Sequence, residues 1–431
     1  MPHRYRVLVI VSVATFVASL DLFIVNIAFP SIQRDFVGTS DATLSWVLSA
    51  YAIVMAALLV PAGRIADLLG RKRLFLGGLV TFVAASALCA AAPGPGWLIA
   101  ARALQAAGGA ILMPTSLALL LAEFQAKERA LAVAVWSATG AVAAAAGPPI
   151  GGILVQASWR WVFLVNLPIG LLMAVLAARV LRESRDPDGK RFPDLAGAAL
   201  LVGASSALML AIVKGPEWGW VAGRTDGLFV ASAVLLAGFV YRCMRHPAPI
   251  IELELFRARA FVAANVAGTL FFAAFGAMLL ASVLFLTRVW HEDVLTAGVQ
   301  IAPGPVAAAV FAVPGSMLAG RFGQRTIAAT GAVLFAVAGI WWLTQVGLEA
   351  HYATGFLPGW IIGGAGVGLV IPTLASAAAG ALPPSRFATG SAVYGMTRQF
   401  GIALGVSILI AVLGTPRATE ILGPFRTSWV V

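Results

Sequence analysis

The sequence predicts an all-α integral membrane protein, and three observations support this fold class. Of the 431 residues, 60% are hydrophobic and only 11% are charged, whereas an ordinary soluble domain carries about 25% charged residues. The hydrophobic residues form repeated runs of about 20 residues, the length of a membrane-spanning helix. The runs are continuous rather than alternating at every second residue, which disfavours a β-barrel.

The runs predict thirteen transmembrane helices. The first is too long for the apolar region of a signal peptide and further runs follow it, so we expect a retained helix. The tail from Thr415 to Val431 resembles the start of a fourteenth helix that does not follow, and we expect a shortened or truncated final helix. The predicted ranges are 7–29, 44–62, 74–92, 97–121, 131–155, 161–181, 193–213, 227–244, 261–287, 296–318, 327–346, 355–377 and 391–413.

The distribution of Lys and Arg predicts the orientation. With a cytoplasmic N-terminus, twenty of the 29 basic residues lie on the inside and seven on the outside, while Arg102 and Arg398 lie within helices. An excess of basic residues on the cytoplasmic side is the rule for multi-pass proteins. The net charge of +11 therefore reflects topology, and we expect no nucleic-acid partner.

An internal repeat indicates two related halves. Residues 61–72 resemble residues 314–325, and each copy ends one helix on the inside and turns into the next. Secondary transporters are often built from such repeats around a central site. We predict an N-terminal six-helix bundle, an inserted helix pair with flanking cytoplasmic loops, and a C-terminal bundle of five helices with a truncated sixth. The predicted boundaries are 1–185, 186–258 and 259–431.

Asp21 is the acidic residue that lies well inside an apolar run. A charged side chain there costs roughly 2.5–3.5 kcal/mol on insertion scales, so it indicates a functional site. Arg102 lies at a similar depth, and Gln105 shares its helical face. Asn26 lies about 140° further round the first helix than Asp21. A cation bound near Asp21 would favour its ionised form and expel a proton, which is a route to antiport; the alternative is a structural ion pair between two helices.

The first copy of the repeat combines small, acidic and basic residues. Gly63 allows close helix approach and Gly70 a tight turn, while Arg71 and Lys72 anchor the cytoplasmic face. Asp67 could accept hydrogen bonds from the N-terminus of a neighbouring helix, which favours an anion. We expect this segment to act as a cytoplasmic gate; the alternative is ordinary anchoring by basic residues.

A second motif carries two consecutive prolines between glycines. Pro148 and its neighbour remove backbone hydrogen bonds within the helix and predict a kink. Gly147, Gly151 and Gly152 allow close packing against another helix. The helix could gate a cavity or be passively kinked. Residues 159–170, which follow, contain two tryptophans, and we assign them mainly an anchoring role at the outer interface.

Two polar residues, Arg398 and Gln399, lie in the last predicted helix. Arg398 could face a central cavity or extend to the inner interface, and both alternatives stay open. The two cysteines and four histidines show no metal-ligand spacing. The sequence therefore indicates no metal and no catalytic residues.

These motifs resemble the major facilitator superfamily, and more narrowly its fourteen-helix branch of drug/proton antiporters. The similarity covers the first-helix segment from Leu20 to Pro30 and four further motifs: Gly63, Asp67, Gly70 and Arg71; Arg102, Gln105 and Gly108; Gly147, Pro148, Gly151 and Gly152; and residues 159–168. The second copy of the loop motif has Gly320 where the first has Asp67, which makes any latch one-sided.

The resemblance implies two six-helix bundles that rock against each other in the cell inner membrane, and the richness in Ala, Gly and Arg is compatible with a bacterial source. It implies proton-driven export of hydrophobic, often cationic drugs or antibiotics, with the proton gradient in place of a cofactor. Asp21 and Arg102 would serve proton coupling and substrate response, and Asp67 the latch. The partners would be a small hydrophobic substrate, protons and the lipid bilayer, and we expect a monomer.

Two alternatives remain beside drug export, and two others are disfavoured. The chain could transport one specific metabolite, or it could be a truncated relative that does not transport. An integral membrane enzyme is disfavoured because the predicted helices hold no paired carboxylates, histidine cluster or nucleophile–base pair. ATP-driven pumping is disfavoured because no Gly-rich loop ending in Lys-Ser or Lys-Thr is present.

Overall fold

The computed structural model describes residues 2–185, 192–382, 386–414 and 422–429, and all the regular structure in these ranges is helical. Thirteen segments of the described chain are long and apolar enough to cross a membrane, which confirms the predicted number. Two short turns of helix lie at Leu253–Arg257 and Tyr352–Phe356. The α-helices are α1 (His3–Asp35), α2 (Asp41–Leu44), α3 (Trp46–Leu69), α4 (Arg71–Ala90), α5 (Pro95–Glu123), α6 (Ala126–Ala157), α7 (Trp161–Leu164), α8 (Asn166–Val180), α9 (Leu195–Trp218), α10 (Gly223–Arg245), α11 (Arg259–Arg288), α12 (Val294–Ile301), α13 (Pro303–Phe322), α14 (Gln324–Gln345), α15 (Leu357–Gly380), α16 (Phe387–Leu413) and α17 (Leu422–Ser428).

Several helices differ from their predicted ranges for local reasons. Helix α3 continues through Pro61 to Leu69 and ends at Gly70, whose φ of 120° is a conformation that favours glycine. The predicted end at residue 62 follows only the apolar part of this helix. The predicted helix 296–318 is divided into α12 and α13 because Pro303, at the first turn of α13, cannot donate to the preceding turn.

Helix packing repeats between the two halves. Helix α5 packs against α3 and α4, and α15 packs in the same way against α13 and α14. Helix α1 packs against α6, and in the same way α11 packs against α16, the counterpart of α6. The repeat predicted from residues 61–72 and 314–325 is thus also a repeat of the packing scheme. We call α1–α8 the N-terminal half and α11–α17 the C-terminal half.

The two halves meet along two seams. Helix α3 packs against α16 on one side, and α6 packs against α12 and α13 on the other. Helix α9 lies beside the first seam, in contact with both α3 and α16, and α10 packs against α9. The predicted inserted pair therefore covers one seam; the predicted boundaries 1–185, 186–258 and 259–431 stay a prediction.

The seams are tightly packed at one end of the molecule. We call this end, where α1 finishes at Asp35, the outer end, following the predicted orientation. A single apolar cluster there contains Phe29 and Phe163 of the N-terminal half together with Phe285 and Trp342 of the C-terminal half. An ion pair of 2.6 Å between Asp41 and Arg288 also joins the halves. The outer end is therefore closed.

The start of the inserted pair is held by a buried carboxylate. Asp194 caps α9 through the backbone N–H of Gly197 at 2.8 Å and accepts two hydrogen bonds from the Arg242 Nε and one from its Nη2. Burial acts to raise the pKa of Asp194, but these hydrogen bonds outweigh it and hold the pKa below its ordinary value. Asp194 therefore stabilises the α9–α10 contact while it is ionised.

We expect Asp194→Asn to lower the thermal stability of the protein at pH 7, because the amide loses the charge that Arg242 contacts. Asparagine caps a helix about as well as aspartate, so the expected loss comes from the weakened contact with Arg242. Because the folded pKa is depressed, the wild-type contribution is complete above the unfolded value of about 3.9 and is lost as the pH falls through the lower folded pKa. Thermal unfolding of the wild type and the variant in detergent, at pH 7 and at a pH below the folded pKa of Asp194, measures this difference. Equal stability of the two proteins at pH 7 would contradict the assignment.

Candidate transport site

Asp21 lies at the centre of a buried polar network. Its side chain is 0% exposed, and its carboxylate accepts hydrogen bonds from Arg102, Gln105 and Asn166. The Gln105 and Asn166 amides donate to the same oxygen, at 2.9 and 3.3 Å, while Arg102 donates to the other. The depth estimate from the sequence predicts the contact between Asp21 and Arg102, and the structure contains it.

Arg102 is equally enclosed, with 1% of its side chain exposed. Its Nη1 also donates to Gln105 at 2.7 Å, and its Nε donates to the Val47 carbonyl at 3.2 Å. The guanidinium lies over the Tyr51 ring at 4.1 Å and near the Phe163 ring at 5.7 Å. Stacking on aromatic faces suits a planar, weakly hydrated guanidinium. The positive charge of Arg102 is thus neutralised by Asp21 and walled in by α3 and α7.

Ser86 extends the network to a further helix. Its hydroxyl accepts from Gln105 at 2.8 Å and from Asn166 at 3.3 Å, and donates to the Phe82 carbonyl at 2.9 Å. Four helices, α1, α4, α5 and α8, therefore supply side chains to one cluster. Removing one partner of a buried ion pair costs about 3–5 kcal/mol, although an intact pair adds little net stability.

Sequence reasoning missed Asn166, Ser86 and the role of Tyr51 beside Arg102. Asn166 lies in the segment of residues 159–170, to which the sequence alone assigns an anchoring role. A polar amide side chain at the start of an apolar span is the signal that could have revealed it. Trp159 of that segment is buried and donates from Nε1 to Asp35 at 2.8 Å. Of the two tryptophans, only Trp161 is exposed, so Trp159 does not fit the predicted anchoring role and the prediction is left to Trp161.

The other predicted site residues lie outside this network. Asn26 is half-buried and donates to the carbonyl of Leu22 in its own helix at 2.8 Å. Arg398 lies in the C-terminal half, where its guanidinium is 5.9 Å from the Phe272 ring centre. Gln399 is buried beside it. The structure thus joins Asp21, Arg102 and Gln105 and separates Asn26, Arg398 and Gln399 from them.

The cytoplasmic loop motif differs from its predicted contacts. Asp67 accepts from the Arg71 Nε at 2.9 Å, one turn further along the chain. The carboxylate at a helix N-terminus is instead that of Glu183, which accepts from the backbone N–H of Lys72 at 3.0 Å and of Arg73 at 3.2 Å. The predicted contact of Asp67 with a helix N-terminus is therefore wrong in this state.

Glycines place this cytoplasmic loop motif close to its neighbours. A Cβ at Gly70 would lie 2.7 Å from the Glu183 carboxyl. Any residue other than glycine at this turn would therefore displace that carboxyl. Gly63 lies beside Pro114 of α5. The Lys72 Nζ donates to the Ala178 carbonyl at 2.7 Å. The motif therefore ties α3, α4 and the end of α8 to one another at the inner end.

The glycine–proline motif forms the contact of α6 with two helices. A Cβ at Gly147 or Gly151 would lie within 3 Å of Phe23 or Ile24 on α1. A Cβ at Gly152 would lie 2.7 Å from the Leu295 Cα on α12, and Pro148 presents its carbonyl to Gly298 of that helix. The predicted close packing is present, and it places this motif in a seam between the halves.

A family model described as Major Facilitator Superfamily matches residues 11–406. The chain belongs to this superfamily. Major facilitator proteins are transporters, so this chain is a multi-pass membrane transporter and not an enzyme.

Two curated major facilitator proteins are similar over most of their length. The multidrug resistance protein Stp of Mycobacterium tuberculosis is 34% identical over 410 residues, which cover 94% of this chain and 75% of Stp. The probable actinorhodin transporter of Streptomyces coelicolor is 33% identical over 419 residues, which cover 94% of this chain and 72% of that protein.

A solved major facilitator structure shares the fold. It is a bacterial homologue of the human lysosomal transporter Spinster, in an inward-facing and unoccupied conformation. The TM-score is 0.70 at 17% identity, with 100% of this chain and 92% of that chain covered. This likeness supports the fold alone.

Proposed function

We propose that this transporter exports hydrophobic drugs or antibiotics in exchange for protons, by alternating access across a bacterial cell membrane. The names of the similar proteins support drug or antibiotic export. The observation that carries proton coupling is the Asp21 carboxylate, which is fully buried and bound by Arg102, Gln105 and Asn166. Intramembrane carboxylates of this kind mark proton pathways.

The geometry supplies a link between protonation and helix position. Both amides donate to one oxygen of Asp21, so a proton on that oxygen competes with these donors. A proton on the other oxygen removes the charge that holds Arg102. Either event weakens contacts that join α1 to α5 and α8, and the helices are then free to rearrange. Deprotonation restores the contacts and returns the site to the state described here.

The closed outer end supports the proposal of alternating access. The Asp41–Arg288 ion pair and the close contact of α6 with α12 seal the outer ends of the seams. Alternating access requires that these contacts open when the inner end closes. The distribution of basic residues supports a cytoplasmic N-terminus, and we propose a monomer that needs no cofactor.

Efflux from cells tests the proposal. The full chain is expressed in a pump-deficient bacterial host, and efflux of a panel of hydrophobic dyes and antibiotics of positive, neutral and negative charge is measured with and without a proton uncoupler. We expect efflux of at least one compound above the empty-vector level, and we expect the uncoupler to abolish the difference. Efflux that persists with the uncoupler would contradict proton coupling.

A further inference from the structure

Arg398 is a deeply placed cation without a counter-ion. No carboxylate of the described chain lies within 4 Å of it, and it makes no hydrogen bond there. Its guanidinium lies over Phe272, near the middle of the 30-residue helix α11. Phe272 is about 20 Å along that helix from Arg259. The charge is therefore deep in the C-terminal half, and the alternative of an extension to the inner interface is excluded in this state.

The position of Arg398 is at the boundary between the halves. A Cβ at Gly395, one turn earlier on the same face of α16, would lie 2.9 Å from Leu59 of α3. The guanidinium itself lies 5.9 Å from the ring centre of Phe272 on α11. Arg398 is also half-buried rather than buried, although it lies deep in its helix. Arg398 therefore lies on the helix of the C-terminal half that packs against α3 of the N-terminal half, and secondary transporters bind substrate between their halves.

Two further polar side chains of α16 near Arg398 have a buried atom without a hydrogen-bond partner in the described chain. Tyr394, one turn before Arg398, has a buried hydroxyl with no hydrogen-bond partner in the described chain. The buried Gln399 carbonyl oxygen likewise lacks one; its amide nitrogen is a further donor if the amide turns. A buried polar group without a hydrogen-bond partner destabilises the folded protein. A ligand that accepts hydrogen bonds from Arg398 and Tyr394 would remove this cost.

The charges deep in the described spans do not balance. They are Asp21, Arg102 and Arg398, and the first two neutralise each other. One positive charge is left, and every other acidic residue of the described chain lies at a helix end or in a loop. A cationic substrate would therefore meet a repulsive site with no free carboxylate. An anion would meet a guanidinium, a hydroxyl donor and an aromatic wall.

We propose that Arg398, assisted by Tyr394, binds the acidic group of a hydrophobic aromatic substrate, a carboxylate or an ionised phenol. The proposal rests on the proposed function as an exporter and specifies its substrate class. It differs from the cationic class that the family resemblance implies. The Phe272 ring contributes the apolar surface on which the aromatic part packs, while Asp21 and Arg102 stay available for the proton.

Binding of three matched probes to the full chain tests this proposal. The probes are naphthalene-2-carboxylate, its neutral carboxamide and 2-naphthylmethylammonium, measured by equilibrium dialysis at pH 7 in nanodiscs of zwitterionic lipid. We expect the acid to bind about tenfold more tightly than the amide, as for a charge-assisted hydrogen bond, and the cation to bind most weakly. We expect Arg398→Gln to remove the preference for the acid without changing amide binding, which shows that the variant is folded.

Control variants separate the site from a general charge effect. Arg321→Gln removes an exposed arginine at the inner end of α13 and is expected to leave the acid preference intact. Arg398→Lys keeps the charge and is expected to keep part of the preference. The proposal is overturned if the cation binds best, if the three probes bind equally, or if the acid preference survives in Arg398→Gln. It is also overturned if anionic lipid in the nanodiscs removes acid binding, because the site would then be a lipid site.

The two proposals can fail separately. An acid preference that depends on Arg398, together with efflux that ignores the uncoupler, would retain this site and reject proton coupling. Uncoupler-sensitive efflux by a protein without any acid preference would retain proton coupling and reject the Arg398 site. Asp21→Asn is expected to retain the acid preference, since Asp21 lies in the other half.

Discussion

Asp21→Asn is expected to reduce proton-coupled efflux to the empty-vector level while the protein still inserts into the membrane. The amide has the same size as the carboxyl group and still accepts hydrogen bonds, but it has no proton to exchange. The neutral side chain also leaves the Arg102 charge unpaired in a buried site. Efflux with and without uncoupler, together with the amount of protein in the membrane fraction, measures the effect.

Two further variants keep this test decisive. Loss of one partner of a buried pair costs about 3–5 kcal/mol, so Asp21→Asn could reduce folding as well. Asp21→Asn combined with Arg102→Gln removes both charges, and we expect it to restore folding without restoring coupled efflux. Asp226→Asn makes the same change at an exposed position on α10 and is expected to transport normally. Uncoupler-sensitive efflux by Asp21→Asn at the wild-type rate would contradict the role of Asp21.

Gly298→Ala is expected to lower efflux by about tenfold or more. A Cβ at Gly298 would lie against the Pro148 carbonyl oxygen, well inside van der Waals contact, and neither backbone can yield without separating α6 from α12. Overpacking of this kind costs typically about 1–3 kcal/mol. Because the contact lies in the outer part of a seam, the substitution destabilises the state with the closed outer end.

A matched glycine provides the control. A Cβ at Gly320, in α13 of the same half, meets no atom of the described chain within 4 Å. We expect Gly320→Ala to transport at the wild-type rate. Labelling of an engineered cysteine near Asp41 by an impermeant reagent is expected to increase in Gly298→Ala and not in Gly320→Ala. Wild-type efflux and labelling in Gly298→Ala would show that the tight α6–α12 contact is dispensable.

Depth along a helix is the part of the site that the sequence predicts. The rise of 1.5 Å per residue places Asp21 and Arg102 at similar depths once the apolar runs are counted, and the structure brings them together. The same counting predicts thirteen helices. These predictions need only lengths and periodicity, which a single sequence contains.

Rotation and neighbourhood are the parts that a single sequence does not provide. Asn166 and Ser86 lie on α8 and α4, and only the packing of these helices shows that Asn166 reaches Asp21 and that Ser86 reaches Gln105. Glu183 reaches the N-terminus of α4 from a segment more than one hundred residues away. The spacing of residues within a motif carries no information on such long-range contacts. The sequence alone therefore assigns the contact with the helix N-terminus to Asp67.

Hydropathy also underestimates the length of helices. The segment from Gly63 to Leu69 is helical in α3 although it lies beyond the apolar run, since it packs against α5 and carries the Asp67–Arg71 pair. Tertiary contacts, rather than transfer into lipid, decide where such a helix ends.

Proton movement that accompanies drug export tests the central role of Asp21 most directly. The full chain is reconstituted into vesicles that contain a fluorescent pH indicator, and luminal pH is followed while a compound identified by the efflux panel is transported. We predict that wild-type vesicles show proton movement opposite to the compound, and that Asp21→Asn vesicles show no more than protein-free vesicles. Equal proton movement in both, with transport retained, would contradict the assignment of the exchanging group to Asp21.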